Sequence, residues 1–243
     1  MARLIAPGPR TTDQLRRLAL AWPQGDHVLV TGGTGSGKTR LARALDQIRL
    51  DRGGNVVVFM GKLQPDDTIT NYYLKQGFTR WTTWHKYPRV TENKILLWPK
   101  IEGKSPREAF AIMKREFGHA LDEIGKVGKW TVHIDEGLLM TSPAYLGKSN
   151  EIGMMYALMR SAKGTMITLA QRPAHLPVAI YPNLSHAFVG RASELPDLKR
   201  LADMDGATNS RQLQRDIQNL GKHDFLWIQT GKDTPPERLN FAE

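Results

Sequence analysis

Residues 32 to 39 read Gly32-Gly33-Thr34-Gly35-Ser36-Gly37-Lys38-Thr39, and they meet every fixed position of the pattern G-x-x-x-x-G-K-[ST]. This is the pattern of a phosphate loop. Its glycines let backbone N–H groups turn inward around a β-phosphate, Lys38 reaches the β- and γ-phosphates, and the Thr39 hydroxyl is placed for Mg²⁺. The flanks agree with the motif: the apolar run His27-Val28-Leu29-Val30-Thr31 leads in as a strand, and residues 40–49 lead out as a helix with Leu41, Ala44, Leu45 and Ile48 on one face. Gly33, Thr34, Gly35, Ser36, Gly37, Lys38 and Thr39 are therefore the expected ATP-binding set.

Upstream, after Pro7-Gly8-Pro9, leucines at 15, 18 and 20 predict a short helix over residues 12–22. Downstream, Asp51-Arg52-Gly53-Gly54 is a turn and residues 55–60 a buried valine-rich strand, completing a βαβ unit. Residues 61–90 change character, with six aromatics (Tyr72, Tyr73, Phe78, Trp81, Trp84, Tyr87) among five Lys/Arg and two acids. The segment from about 61 to 94 reads as an insertion. Its aromatics suit either base stacking, as in single-strand channels, or a satellite core or subunit contact. A strand is expected at 95–98, and residues 106–124 carry Phe110, Met113, Phe117, Leu121 and Ile124 at helical spacing.

A second chemical signal lies at Trp130-Thr131-Val132-His133-Ile134-Asp135-Glu136, an apolar strand with two carboxylates at its tip, the form of a Walker B motif. A carboxylate beside a phosphate loop holds Mg²⁺ or its water, which is the expected role of Asp135. A second carboxylate accepts a proton from the water that attacks the γ-phosphate, the expected role of Glu136. The adjacent pair points to a hydrolase. A helix over 152–162 and a strand over 165–170 follow, ending in Gln171-Arg172-Pro173. Gln171 at that tip either adjoins the attacking water or caps a strand. Further strands are expected at 186–190 and 224–229, with a helix at 210–220. The seven histidines show no metal-ligand spacing, and His133 reads as a core residue.

Composition narrows the setting. The chain of 243 residues, 40% hydrophobic, suits one well-buried α/β domain. Its 34 basic against 24 acidic residues, a net charge of +10, favour an anionic partner such as nucleic acid. Without cysteine there are no disulfides or thiolate metal sites. No apolar run approaches membrane-spanning length and no signal-peptide pattern opens the sequence, so a soluble, cytoplasmic or virion-associated protein is expected.

Taken together, the motifs resemble those of the FtsK-HerA family of P-loop DNA-translocating ATPases. The resemblance rests on the Thr-Gly-Ser-Gly-Lys-Thr loop, the Asp135-Glu136 tip, Ala170-Gln171-Arg172-Pro173, and Gly221-Lys222-His223-Asp224-Phe225-Leu226-Trp227, in that order and over roughly residues 27–230. Alanine stands at 170 where the family has threonine. The resemblance implies an α/β P-loop NTPase of the ASCE, RecA-like type with a largely parallel sheet, ATP and Mg²⁺ as ligands, Glu136 as catalytic base, and Gln171 as γ-phosphate sensor. It also implies an arginine inserted into the neighbouring subunit's site. Arg160 matches its placement, and Arg191 is the rival. The expected protein is a DNA translocation motor working as a homo-oligomeric ring, a hexamer, on sequence-independent duplex. A viral or mobile-element packaging ATPase, with a capsid partner, fits a motor without added domains. Two other readings are an ATPase powering filamentous-phage-like assembly or secretion, and a nucleotide-dependent switch.

Overall fold

A computed structural model describes residues 9–64, 67–85, 92–204, 210–232 and 234–241. Nine strands form a single sheet: β1 (His27–Thr31), β2 (Asn55–Phe59), β3 (Thr79–Trp81), β4 (Lys94–Leu97), β5 (Trp130–Ile134), β6 (Thr165–Ala170), β7 (Leu184–Gly190), β8 (Asp224–Gln229) and β9 (Glu237–Asn240). Their order is β3-β4-β2-β5-β6-β1-β7-β8-β9. The first seven run parallel, while β8 and β9 close one edge in antiparallel pairing. The helices are α1 (Pro9–Ala21), α2 (Lys38–Asp51), α3 (Asp67–Lys75), α4 (Pro106–Val127), α5 (Gly137–Thr141), α6 (Ser149–Leu158), α7 (Leu195–Ala202) and α8 (Ser210–Gln218).

Alternation along β1 shows how the layers form. Val28 and Val30 face a cluster built from Leu41 and Leu45 of α2 and Leu15 and Leu18 of α1. Leu29 faces the other way, into a cluster holding Met113 and Phe117 of α4 and Ile152 of α6. Because both faces are covered, the parallel strands read as unbroken apolar runs rather than alternating ones. Helix α4 is the best marked element in the sequence: Ser105 caps it, its hydroxyl accepting from the Glu108 N–H at 3.3 Å while the Glu108 carboxylate accepts from the Ser105 N–H at 2.9 Å.

The stretch from 61 to 94 joins the sheet. It supplies α3 and the edge strand β3, whose residues 79–81 pair with 95–97 of β4. Trp81 and Trp84 are buried in the main core, and Trp84 meets the Trp130 ring edge-on at 5.8 Å. Tyr73 and Phe78 fill a smaller cluster with Val56, Val58 and Leu96 on the other face. These aromatics are packing residues, and Tyr87 lies outside the described residues. Among the described residues, no helix is long and apolar enough to cross a membrane.

Candidate nucleotide site

Three strand tips meet at one end of the sheet. β1 carries the phosphate loop, β5 carries Asp135 and Glu136, and β6, hydrogen-bonded to both, carries Gln171 between them. The loop folds as its glycines permit, with Gly35 at φ 72° and Gly37 at φ 96°, conformations that a side chain would strain. Gly33, Thr34 and Gly35 are exposed, Ser36 is buried, and Gly37, Lys38 and Thr39 are half-buried. Gly190, at the end of β7, must be small as well, since a Cβ there would come within 2.9 Å of the Thr31 carbonyl.

The loop fits a polyphosphate. Helix α2 begins at Gly37 without a side-chain cap, so its first N–H groups and dipole are left for an anion. Lys38 turns its ammonium onto the loop's own carbonyls, donating to Gly32 at 2.7 Å and Gly33 at 2.9 Å. Burial lowers its pKa, partly countered by the Glu136 and Asp135 charges. Thr39 in the first turn of α2 and Asp135 at the β5 tip are the residues suited to Mg²⁺. Among the described residues no group of three or more His, Cys, Asp or Glu could hold a metal alone.

Glu136 and Gln171 face each other. The Gln171 amide donates to Glu136 at 3.4 Å, and the Thr34 hydroxyl donates to the Gln171 carbonyl oxygen at 3.4 Å, linking all three tips. Glu136 also caps α5, accepting from the Leu138 N–H at 3.4 Å. Burial raises the Glu136 pKa and the neighbouring Asp135 charge raises it further, against the lowering effect of the Leu138 N–H, Lys38 and Gln171. A more basic carboxylate is a better proton acceptor. Arg172 points away from this relay: its guanidinium donates to the buried Asp197 at 2.5 Å, and Asp197 also accepts from the Ala174 N–H at 2.9 Å. Arg172 therefore holds the shape of the Gln-Arg-Pro tip.

Arg160 and Arg191 lie at opposite ends of the sheet. Arg191 follows Gly190 at the loop's end and is exposed. Arg160, just beyond α6, sits where β1, β6 and β7 begin; it pairs with Asp26 at 3.1 Å, and its side chain keeps 64% exposure. Two residues to which the sequence reading assigned no role approach the phosphate loop: Lys222 packs beside Gly35, and His223 beside Gly37. They ride on a rigid turn, because the buried Asp224 carboxylate accepts from the Gly221 N–H at 2.8 Å, from Asn240 at 2.5 Å and from Arg238. Gly221 in the late motif was the only local signal for this turn.

His133 is a core residue, as read. Its Nδ1 lies 2.7 Å from Asp46 of α2, and the Tyr73 hydroxyl donates to the same carboxylate at 3.1 Å. This buried cluster pins β5, just before Asp135, to the phosphate-loop helix.

A phosphate loop, an acidic strand tip and an intervening strand ending in a polar residue define an α/β P-loop NTPase fold. Solved structures of that fold superpose over most of the chain. The DNA-packaging ATPase B204 of Sulfolobus turreted icosahedral virus matches with a TM-score of 0.66 and 15% identity, covering 91% of this chain and 100% of its own. The genome-packaging NTPase B204 of Sulfolobus turreted icosahedral virus 2, in complex with ATP-γS, gives 0.61 at 14% identity, covering 88% and 96%. VirB4 of Thermoanaerobacter pseudethanolicus gives 0.63 at 9% identity, covering 89% of each chain. At such identities the likeness is one of fold. No family model and no curated protein sequence matches the chain.

Proposed function

We propose that this chain is an ATP-hydrolysing motor of the FtsK-HerA type that moves DNA, most specifically a viral or mobile-element genome-packaging ATPase. The observation that carries the reading is the Thr34–Gln171–Glu136 relay, set across from Lys38 on neighbouring strand tips. The packaging ATPases that share the fold over nearly their whole length support the substrate class. In this mechanism the loop N–H groups and Lys38 bind the phosphates, and Thr39 and Asp135 hold Mg²⁺. When bound, the metal offsets charge on the transferring phosphoryl group. Glu136 takes the proton of the attacking water, and Gln171 orients that water and registers the γ-phosphate. The ring, taken as a hexamer, and a capsid partner belong to the same proposal.

Measuring phosphate release tests it. Lys38→Ala and Glu136→Gln should each lower turnover by at least about 100-fold while the fold persists, the scale of a lost general base. Normal turnover by Glu136→Gln would overturn the reading.

A further inference from the structure

A second groove opens beside the helix that follows Glu136. It is about 400 Å³ in volume and is lined by Arg107, Phe110, Ala111 and Lys114 of α4 and by Ala144 and Tyr145. Resting on the motor reading above, we propose that this groove is where the chain grips a nucleic-acid strand, Arg107 and Lys114 holding backbone phosphates and Tyr145 packing against the sugar-base side.

Charge and shape both suit such a strand. Arg107 and Lys114 are two helical turns apart on one face of α4, about 10 Å along its axis. That spacing covers about three nucleotides at the ~3.4 Å rise of one strand. Both side chains are exposed, and neither is ion-paired among the described residues. The carboxylate that senses Lys114, Glu151, is already bonded to Lys148 at 3.0 Å. In the same lining, Tyr145 is 44% exposed and stands edge-on to Phe110 at 5.6 Å, an aromatic ring supported from within the groove. Aromatic faces beside cations are the elements of sequence-tolerant strand binding. These are better placed for DNA than the tryptophans of the 61–94 stretch, which are consumed in the core.

The groove is also wired to the nucleotide site. Glu136 caps α5, and the loop bearing Tyr145 is bonded back onto that short helix: Leu146 N–H donates to Leu139 at 3.2 Å and Lys148 N–H to Met140 at 2.8 Å. A strand pressing on Tyr145 therefore acts on the element that Glu136 itself starts.

Fluorescence anisotropy with a labelled mixed-sequence oligonucleotide, single-stranded and as duplex, titrated without nucleotide across a range of NaCl, tests the groove. Arg107→Glu and Lys114→Glu should each weaken binding about tenfold and reduce the salt slope by about one. Lys199→Glu, an equal charge change on α7, should not. Tyr145→Ala should weaken the single strand by about fivefold or more, with Tyr145→Phe restoring it. The form that loses more is the strand the groove holds. ATP turnover without DNA should stay as in the wild type for all of these variants, whereas its stimulation by DNA should fall. If Lys199→Glu weakens binding as much as the groove variants, or none of them does, the inference is overturned. Because binding is read without nucleotide, a wild-type chain that binds DNA but hydrolyses no ATP would instead overturn the motor reading and leave the groove standing.

Discussion

At the end of the sheet where β1, β5 and β6 terminate, Glu136, Gln171 and Thr34 touch through long 3.4 Å contacts, and Lys38 rests on carbonyls it can leave. At the opposite end, where the same strands begin, the polar groups are closed off. His27 faces the Tyr156 carbonyl at 2.9 Å through Nε2 and accepts the Met166 N–H at 3.1 Å through Nδ1. Arg49, almost fully buried, donates to the Trp22 and Pro23 carbonyls at 3.0 and 2.7 Å and lies 3.6 Å over the Trp22 ring. One end keeps loosely bonded groups within reach of solvent and ligand, and the other spends its polar groups on holding strand starts together. Loose contacts suit chemistry because a ligand can replace them without stranding a buried donor.

Arg160 gives the largest expected exception. It sits at the closed end, paired with Asp26, yet its side chain keeps 64% exposure and so can be offered to a neighbour. As a trans-acting finger it should contribute about 10³-fold or more in rate. Arg160→Ala should then lose that activity, and mixing with a Lys38→Ala chain should restore part of it. Full activity of the single variant, with Arg191→Ala inactive, would transfer the role to the loop's own end.

The next effect in size is the response of the closed end to pH. Burial first of all pushes His27 and His186 down to about 4 from an ordinary 6.5. The unfolded chain therefore binds more protons between these values, so stability is full above pH 6.5 and falls as pH drops toward 4, by up to about 3 kcal/mol per histidine. Urea midpoints should decline across that window, and His186→Gln should flatten the decline. An equal decline in the variant would show that other groups set the acid limit.

The smallest effect sharpens the open end. Lys222 packs beside Gly35 of the loop. Lys222→Ala should weaken ATP and ADP alike by about fivefold, as for one exposed charge-assisted contact, and leave turnover at saturation unchanged. A loss confined to ATP would place Lys222 at the γ-phosphate instead.

Much of the site was legible because it is local. The glycines of 32–37 encode a backbone shape, and the Asp135-Glu136 and Gln171 tips end apolar runs that can only be buried strands. Helix α4 was legible through the spacing of Phe110, Met113, Phe117, Leu121 and Ile124, while its Ser105 cap is seen only in the structure. Other elements carried too little local signal: β3 is three residues long and α5 five, shorter than the periods that betray strand or helix. For the 61–94 stretch the composition left its aromatics open between base stacking and packing; only the tertiary structure shows Trp81 and Trp84 in the core, with Trp84 against Trp130.

By itself, then, the sequence determined the cradle and the acidic tip, since backbone dihedrals and strand burial are set by neighbouring residues. Tertiary structure alone decided that β6 slots between β1 and β5, that Lys222 and His223 pack beside the loop, that Arg160 lies at the far end, and that Tyr145 lines one groove with Arg107 and Lys114. Strand order in a parallel sheet is set by crossovers of a dozen or more residues, and contacts made across them leave no mark on the local pattern.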